Sequence, residues 1–398
     1  MLTKLPWDLA PQLPWHVFQS PAQKWAVQPS FVIGEYLFIT CALVALAHAL
    51  LQGERRGMHV LAWVAALVAG TANDLIFMAL PLVDNFWQAQ ATIMLTPRLP
   101  LYIPCVYICF MYTAVVSVWR LQLPPLARAA LSGLAASVFY APYDIIGAKF
   151  LWWTWHDSDM PIANRILGAP IGSTMWIITF TAAFSFLLNR TIDKELGKQR
   201  APHISAKAFC KGLALVAAFS SLIMVLQMTI LQQLDGGVPG IRALCFVVVL
   251  YTTIVVLGWR RAAAPWQAAG RAAIADRLLN GSVCAYFLTL FMIGVVFDPA
   301  THRSASVHQT YGACHVTATD IAGHTRYKFL CAEDFDEDFS FACLPALPAA
   351  GSDWYTVCGR PHRDVRRFLF GVGALAGTGI FLYSFLLGAL RRRRAVAV

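Results

Sequence analysis

Residues 31–56 read FVIGEYLFITCALVALAHALLQGERR. The run 31–51 carries one formal charge, Glu35, and is long enough to cross a hydrocarbon core as a helix, which takes about 20 apolar residues. A polar turn, Gln52-Gly53-Glu54-Arg55-Arg56, closes it, and a second apolar run begins at His59. The pattern recurs at about 59–82, 99–121, 127–148, 167–188, 209–233, 241–259, 281–297 and 368–390, which predicts an all-α polytopic bundle of about nine spans. Composition agrees: 13% of residues are charged, against about 25% in a soluble domain. An ordinary soluble enzyme is excluded.

The loops predict an orientation, because short cytoplasmic connections are enriched in lysine and arginine. Arg55-Arg56, Arg120 with Arg128, Arg190 to Lys211, Arg260-Arg261 through Arg277, and Arg391 to Arg394 all fall on one side of a nine-span count. The N-terminus is therefore expected outside and the C-terminus in the cytoplasm, with Arg98 and Arg366-Arg367 as exceptions at outer helix ends. Residues 1–28, with Trp7, Trp15 and Trp25 among prolines, read as an outer interfacial segment without a signal peptide. Then come a bundle of about eight spans over 29–297, an extracytoplasmic loop over 298–366, a last span over 367–390 and a basic tail, 391–398. Residues 262–279, with Trp266, Arg271, Asp276 and Arg277 among alanines, read as a short helix lying on the cytoplasmic interface.

The net charge of +10 comes from clusters flanking apolar runs, so nucleic acid is not an expected partner; the lipid bilayer is. Four of the ten cysteines, Cys314, Cys331, Cys343 and Cys358, share the external loop and predict two disulfides, with three connectivities possible. The loop also holds five of the ten histidines and an acidic run, Glu333 to Asp338, without the glycine and ligand spacing of a calcium loop.

Ionisable residues within a span cost roughly 2.5–3.5 kcal/mol each, so each is a candidate for function. Glu35, Asp74 beside Asn73, Arg98, Asp144 and Lys149 all fall in the outer halves of their spans and suggest one polar pocket opening outward. The structural alternative pairs Glu35 or Asp74 with Arg98, and Asp144 with Lys149. Tyr140 shares a helix face with Asp144 at i, i+4, and Tyr143 joins them as a candidate binding residue; Pro142 between should bend the helix. By contrast the inner halves read as nearly uncharged apart from His48 and His59, while Gln227, Gln232 and Gln233 lie toward the outer side.

The densest string follows the fourth span: Trp152-Trp153-Thr154-Trp155-His156-Asp157-Ser158-Asp159. Its tryptophans read as an interfacial belt or as ligand contacts. His156 and Asp157 are candidate acid-base groups, and His156, Asp157 and Asp159 form a weak metal pattern, so no cofactor is assigned. Gly168-Ala169-Pro170-Ile171-Gly172-Ser173-Thr174 opens the fifth span with small residues, and Ser173 and Thr174 are candidate binding residues. An irregular start also precedes the third span, around Asp84-Asn85-Phe86-Trp87-Gln88 and Thr96-Pro97-Arg98. Motifs of serine hydrolases, zinc proteases, P-loop proteins and dinucleotide-binding folds are absent.

The block YDIIGAKFLWWTWHDSD, followed by GAPIGSTMW and preceded by DNFWQAQ and TPRLPLYIP, resembles a family of uncharacterised multi-pass membrane proteins over roughly residues 70–190. That resemblance implies a membrane fold and no activity. The tryptophan-rich string with its following turn is also similar to membrane enzymes of carotenoid modification.

These readings lead to a binding or modifying site for a lipophilic, lipid- or isoprenoid-like molecule in the outer leaflet. Asp74, Asp144, Glu35 and His156 would then serve as acid-base groups. A proton- or cation-coupled transporter using the same carboxylates is the alternative, and a scaffold or receptor-like protein with a partner-binding loop is the third.

Overall fold

In the computed structural model, which describes residues 13–80, 85–155, 158–197, 204–264, 268–320, 323–333 and 339–388, nine helices among the described residues are long and apolar enough to cross a membrane. They are α1 (Pro29–Leu50), α2 (Arg56–Ala79), α3 (Tyr102–Trp119), α4 (Pro125–Lys149), α5 (Ile171–Leu196), α6 (Ala206–Leu231), α7 (Ile241–Trp259), α8 (Gly270–Val296) and α9 (Val365–Leu386). Local chemistry sets several ends. Pro29 and Pro125 stand in first turns, where the missing N–H has no helical partner to lose. Ser205 caps α6 by accepting from the Ala208 amide, and Asp364 caps α9 by accepting from the Arg367 amide.

The core forms around α3, 94% of whose apolar window is buried against 22% for α6 and α7. Helix α4 packs against α3, α5, α7, α8 and α9. Two buried tyrosines, Tyr286 of α8 and Tyr383 of α9, donate to the α4 carbonyls of Phe139 and Ala135, close to where Pro142 removes a backbone donor. The peripheral helices expose Leu226, Ile230, Val249, Leu257 and Phe381, the apolar outer surface that a bilayer would cover.

Several sequence boundaries move, and α5, expected over 167–188, runs from Ile171 to Leu196. Helix α3 begins at Tyr102, not 99, because residues 93–101 fold back on themselves, with Met94 bridged to Pro100. Its middle turn, Ile108–Tyr112, is π-helical. Helix α8 begins at Gly270, so residues 270–279 are its first turns and not a helix lying on the interface. The reason is Asp276, which is buried and ion-paired with Arg120 at 2.5 Å instead of facing water. Residues 265–267, including Trp266, lie outside the described residues.

Short strands decorate one end. β1 (Phe86–Gln88) pairs antiparallel with β2 (Trp153–Trp155), joining the two irregular stretches before α3 and after α4. β3 (Arg165–Ile166) pairs with β4 (Ala169–Pro170) ahead of α5. Between α8 and α9 the long loop folds into a cap: β5 (Arg303–Val307), β6 (Thr317–Thr319), β7 (Thr325–Tyr327), β8 (Phe339–Ser340) and β9 (Trp354–Gly359) form a sheet ordered β5-β9-β8 and a hairpin β6-β7. Disulfides Cys314–Cys331 and Cys343–Cys358 staple it, which selects one of the three connectivities. Leu330, Phe339, Phe341, Tyr355 and Val357 form its small core, into which Leu151 inserts with φ 59°.

Candidate functional site

At the cap end the helices enclose a cavity of about 340 Å³, within the usual range of small-molecule pockets. Its wall is drawn from the last turns of α2, α4 and α6 and the first turns of α3 and α5, with β1, β2 and two cap residues, Asp320 and His324. All these helix ends point the same way. Val225 and Thr229, exposed residues of α6, belong to the lining, as do Asp320 and His324 of the cap.

Of the span carboxyls expected in one pocket, Asp74 lines this chamber and Asp144 does not, lying one contact behind Ser173. Asp74 lines it, 6% exposed; its Oδ1 accepts from the Tyr107 hydroxyl, while its second oxygen has no hydrogen-bond partner among the described residues. Beside it Asn73 accepts from Ser221 of α6 at 2.9 Å, fixing that turn of α2. Asp144, 2% exposed, bonds Ser173 of α5, itself part of the wall, and lies within Coulombic reach of Arg165; its Oδ1 is buried without a partner. An orphaned buried oxygen of this kind is costly and marks a place where a further donor fits.

Aromatic rings build most of the rest. Tyr143 stands 4.8 Å from Trp153 and 5.0 Å from Tyr140, Tyr140 lies 6.4 Å from Trp176, and Trp153 meets Trp155 at 6.3 Å in edge-to-face geometry. Two glycines make room: a Cβ on Gly70 would fall 2.1 Å from the Tyr107 ring, and one on Gly147 would fall 2.1 Å from Trp153. The indole N–H groups of Trp153 and Trp155 are buried without acceptors. Gln88 of β1 accepts from Tyr102, and Met224 and Met228 of α6 supply flexible apolar surface.

The cap is bolted to this wall. Arg326 Nε lies 2.9 Å from Asp159 Oδ1, the Tyr327 amide donates to Ser158 Oγ at 2.8 Å, and Thr154 of β2 meets His308 Nδ1 at 3.2 Å. His308 also meets Ser306 Oγ at 3.0 Å and stacks on Tyr355. Burial lowers its pKa to about 3, so it stands there as a neutral ring.

Other sequence candidates lie elsewhere. Glu35 faces away from the cavity and accepts from the Thr92 amide and hydroxyl, both at 2.9 Å, and from the Ile93 amide, because the folded-back 93–101 segment brings those donors over α1. Its charge neighbour is Lys24, buried in the short helix Pro21–Val27, whose ammonium donates to Gln28 and whose pKa burial lowers to about 7. Arg98 donates to the Phe86 carbonyl and lies over the Trp87 ring. Lys149 donates to the Pro361 carbonyl. Trp152 is fully buried behind the wall with its indole bonded to Ser30, and Thr174 does not line the cavity. Trp152 and Trp153 are thus core and wall, not an interfacial belt. His156 and Asp157 lie outside the described residues, and Asp159, the third residue of the weak metal pattern, is engaged by Arg326.

Tyr107 and Trp176 belong to the site without having been singled out from the sequence. Each is one aromatic among many in an apolar run, and only the approach of Gly70 distinguishes Tyr107. The opposite end holds a second polar group that the sequence reading missed: His48, Gln52, Tyr112, Arg120 and Asp276, all buried and mutually bonded. The inner halves are therefore not nearly uncharged.

Nine long apolar helices and a disulfide-stapled cap define the class: a multi-pass helical membrane protein with a cavity under its cap. Within that class the chain belongs to the family described as a domain of unknown function, DUF7802, whose pattern matches residues 13–386. No curated protein and no solved structure matches the chain.

Proposed function

We propose that this membrane protein binds a lipophilic molecule, lipid- or isoprenoid-like, in the cavity beneath the cap, and that Asp74 engages its polar end while Asp144 acts through Ser173. The carrying observation is the combination of a largely apolar, aromatic chamber, exposed α6 residues in its lining, and one buried lining carboxyl, Asp74, bonded to the Tyr107 hydroxyl, with the Asp144 carboxyl behind Ser173. A hydrocarbon tail can enter such a chamber from a bilayer without crossing water. If the molecule is also transformed, proton transfer is the chemistry these side chains equip, with Asp74 and Tyr107 as the hydrogen-bonded acid-base couple. In this reading the cap end faces away from the cytoplasm and the arginine-rich ends of the helices face it, as the distribution of positive charge supports.

A proton- or cation-coupled transporter is the second reading. It draws on the His48, Tyr112 and Asp276 group, which gives α3 polar partners on both sides of its π-helical turn. Binding is preferred because the Asp276 carboxylate is already committed to Arg120 and His48. Native mass spectrometry of the full chain released from nanodiscs tests the choice. A co-purifying amphiphile present in wild type and lost in Asp144→Asn is the expected result. No retained molecule in either form, together with proton-driven flux in reconstituted vesicles, would favour transport.

A further inference from the structure

The lining of the cavity is lopsided in charge and in ring content. Among the described residues it contains aspartates and no lysine or arginine. Two of those aspartates are occupied: Asp159 by Arg326, and Asp320 by His324 at 3.3 Å. Asp74 is different, since its only recorded partner is the neutral Tyr107 hydroxyl. The same cavity is lined by the rings of Tyr107, Tyr140, Tyr143, Trp153 and Trp176. Trp176 ties the group together, 6.0 Å from Tyr107 and 6.4 Å from Tyr140. Asp144 is not in the lining and stands behind Ser173, so Asp74 is the carboxyl an occupant would meet.

Ring faces carry negative quadrupole density, and an aromatic box backed by a carboxylate is the arrangement that holds an alkylated ammonium, whose charge is too diffuse to demand hydrogen bonds from every direction. An anionic head could take the orphaned indole N–H groups of Trp153 and Trp155, but it would still face Asp74 with no lysine or arginine among the described lining residues to neutralise it. A neutral alcohol would satisfy Asp74 by one hydrogen bond but leave the ring faces unused. Resting on the binding reading above, we infer that the polar end of the occupant is an organic cation: an amphiphile whose ammonium group sits in the aromatic box against Asp74, with its tail running toward α6.

The test uses three probes with one tail and different heads: octyltrimethylammonium, octanol and octanoate. Each is titrated below its aggregation threshold into the full chain in nanodiscs, read by indole fluorescence and by shift of the unfolding midpoint, with protein-free nanodiscs as the partition control. The expected result is that the cation binds at least tenfold tighter than octanol, with octanoate weakest, and that Asp74→Asn abolishes the preference for the cation while octanol affinity changes little. Equal affinities for the three heads, or a cation preference that survives in Asp74→Asn, overturns the cationic-head inference but leaves the lipophilic cavity intact. Failure of all three probes to bind overturns both. Should Asp74→Asn fail to fold, Trp176→Leu replaces it: loss of the tenfold preference supports the box, and its retention refutes it.

Discussion

Asp276 of α8 receives Arg120 of α3 at 2.5 Å and His48 of α1 at 3.1 Å on the same carboxylate oxygen, with all three side chains at most 3% exposed. His48 turns its other ring nitrogen to the Tyr112 hydroxyl at 2.6 Å. One aspartate thus joins three helices at the end remote from the cavity. Removing one partner of a buried pair strands the other's charge, which costs about 3–5 kcal/mol. Asp276→Ala is expected to lower the unfolding midpoint in detergent strongly, and adding Arg120→Met should recover most of the loss. A single variant as stable as wild type, or a double variant no better than the single, would refute this account.

That cluster also shows where sequence reading stops. Apolar runs such as 31–51 announce helices because length and hydropathy are local properties, and each of the nine long apolar helices among the described residues overlaps its expected run, with the largest shifts at the end of α5 and the start of α8. Asp276 sits among alanines and arginines, so locally it reads as an interfacial residue; only its distance to Arg120, 156 positions away, reveals it as buried. Glu35 fails in the opposite sense. It reads as a pocket carboxylate, yet the Thr92 amide and hydroxyl and the Ile93 amide, at the start of a fold-back that has no periodic signature, satisfy its oxygens. Asp74, Tyr140, Tyr143 and Ser173 do reach one cavity, because the alternation of span directions brings their helix ends together.

The small residue under Tyr107 makes a packing prediction. A methyl group on Gly70 would fall within 2.1 Å of the ring, and overpacking of this kind costs about 1–3 kcal/mol. The clash falls on Cβ and Cγ of Tyr107, so relieving it shifts the whole side chain away from α2 and strains its hydrogen bond to Asp74 of the same helix. Gly70→Ala should therefore weaken probe binding by tenfold or more while the protein still folds. Gly377→Ala in α9, where a Cβ would meet nothing within 4 Å, is the matched control and should leave binding unchanged. Equal behaviour of the two variants would remove the Gly70 contact from the argument.

Acid should loosen the cap. His308 is buried and neutral when folded, with a pKa lowered by burial to about 3, whereas an unfolded histidine titrates near 6.5. A lowered folded pKa means that the unfolded state binds the proton first, so cap stability is full above about pH 6.5 and is lost progressively as pH falls toward 3, by at most about 5 kcal/mol. Hydrogen exchange of β5 and β9, corrected for intrinsic rates, should show protection falling across that window. In His308→Gln the slope should flatten. Unchanged protection between pH 6.5 and 4 in wild type would contradict the assignment.

The disulfides should matter to kinetics more than to the bundle. Cys343 and Cys358 close a 15-residue separation within the cap, and cross-links of that span contribute about 3 kcal/mol. Neither cysteine belongs to a long helix, so Cys343→Ser with Cys358→Ser should leave the helical melt of the bundle close to wild type while the cap loses exchange protection. The cap contributes Asp320 and His324 to the cavity and holds Asp159 through Arg326. A loosened cap therefore opens an exit at the cap end. Probe dissociation should accelerate by severalfold, and because the aromatic box and Asp74 stand on the helices and on β2, selectivity between probe heads should persist. Stopped-flow fluorescence separates the two effects: faster release with unchanged selectivity is expected, and unchanged release would mean that the cap does not cover the occupied cavity.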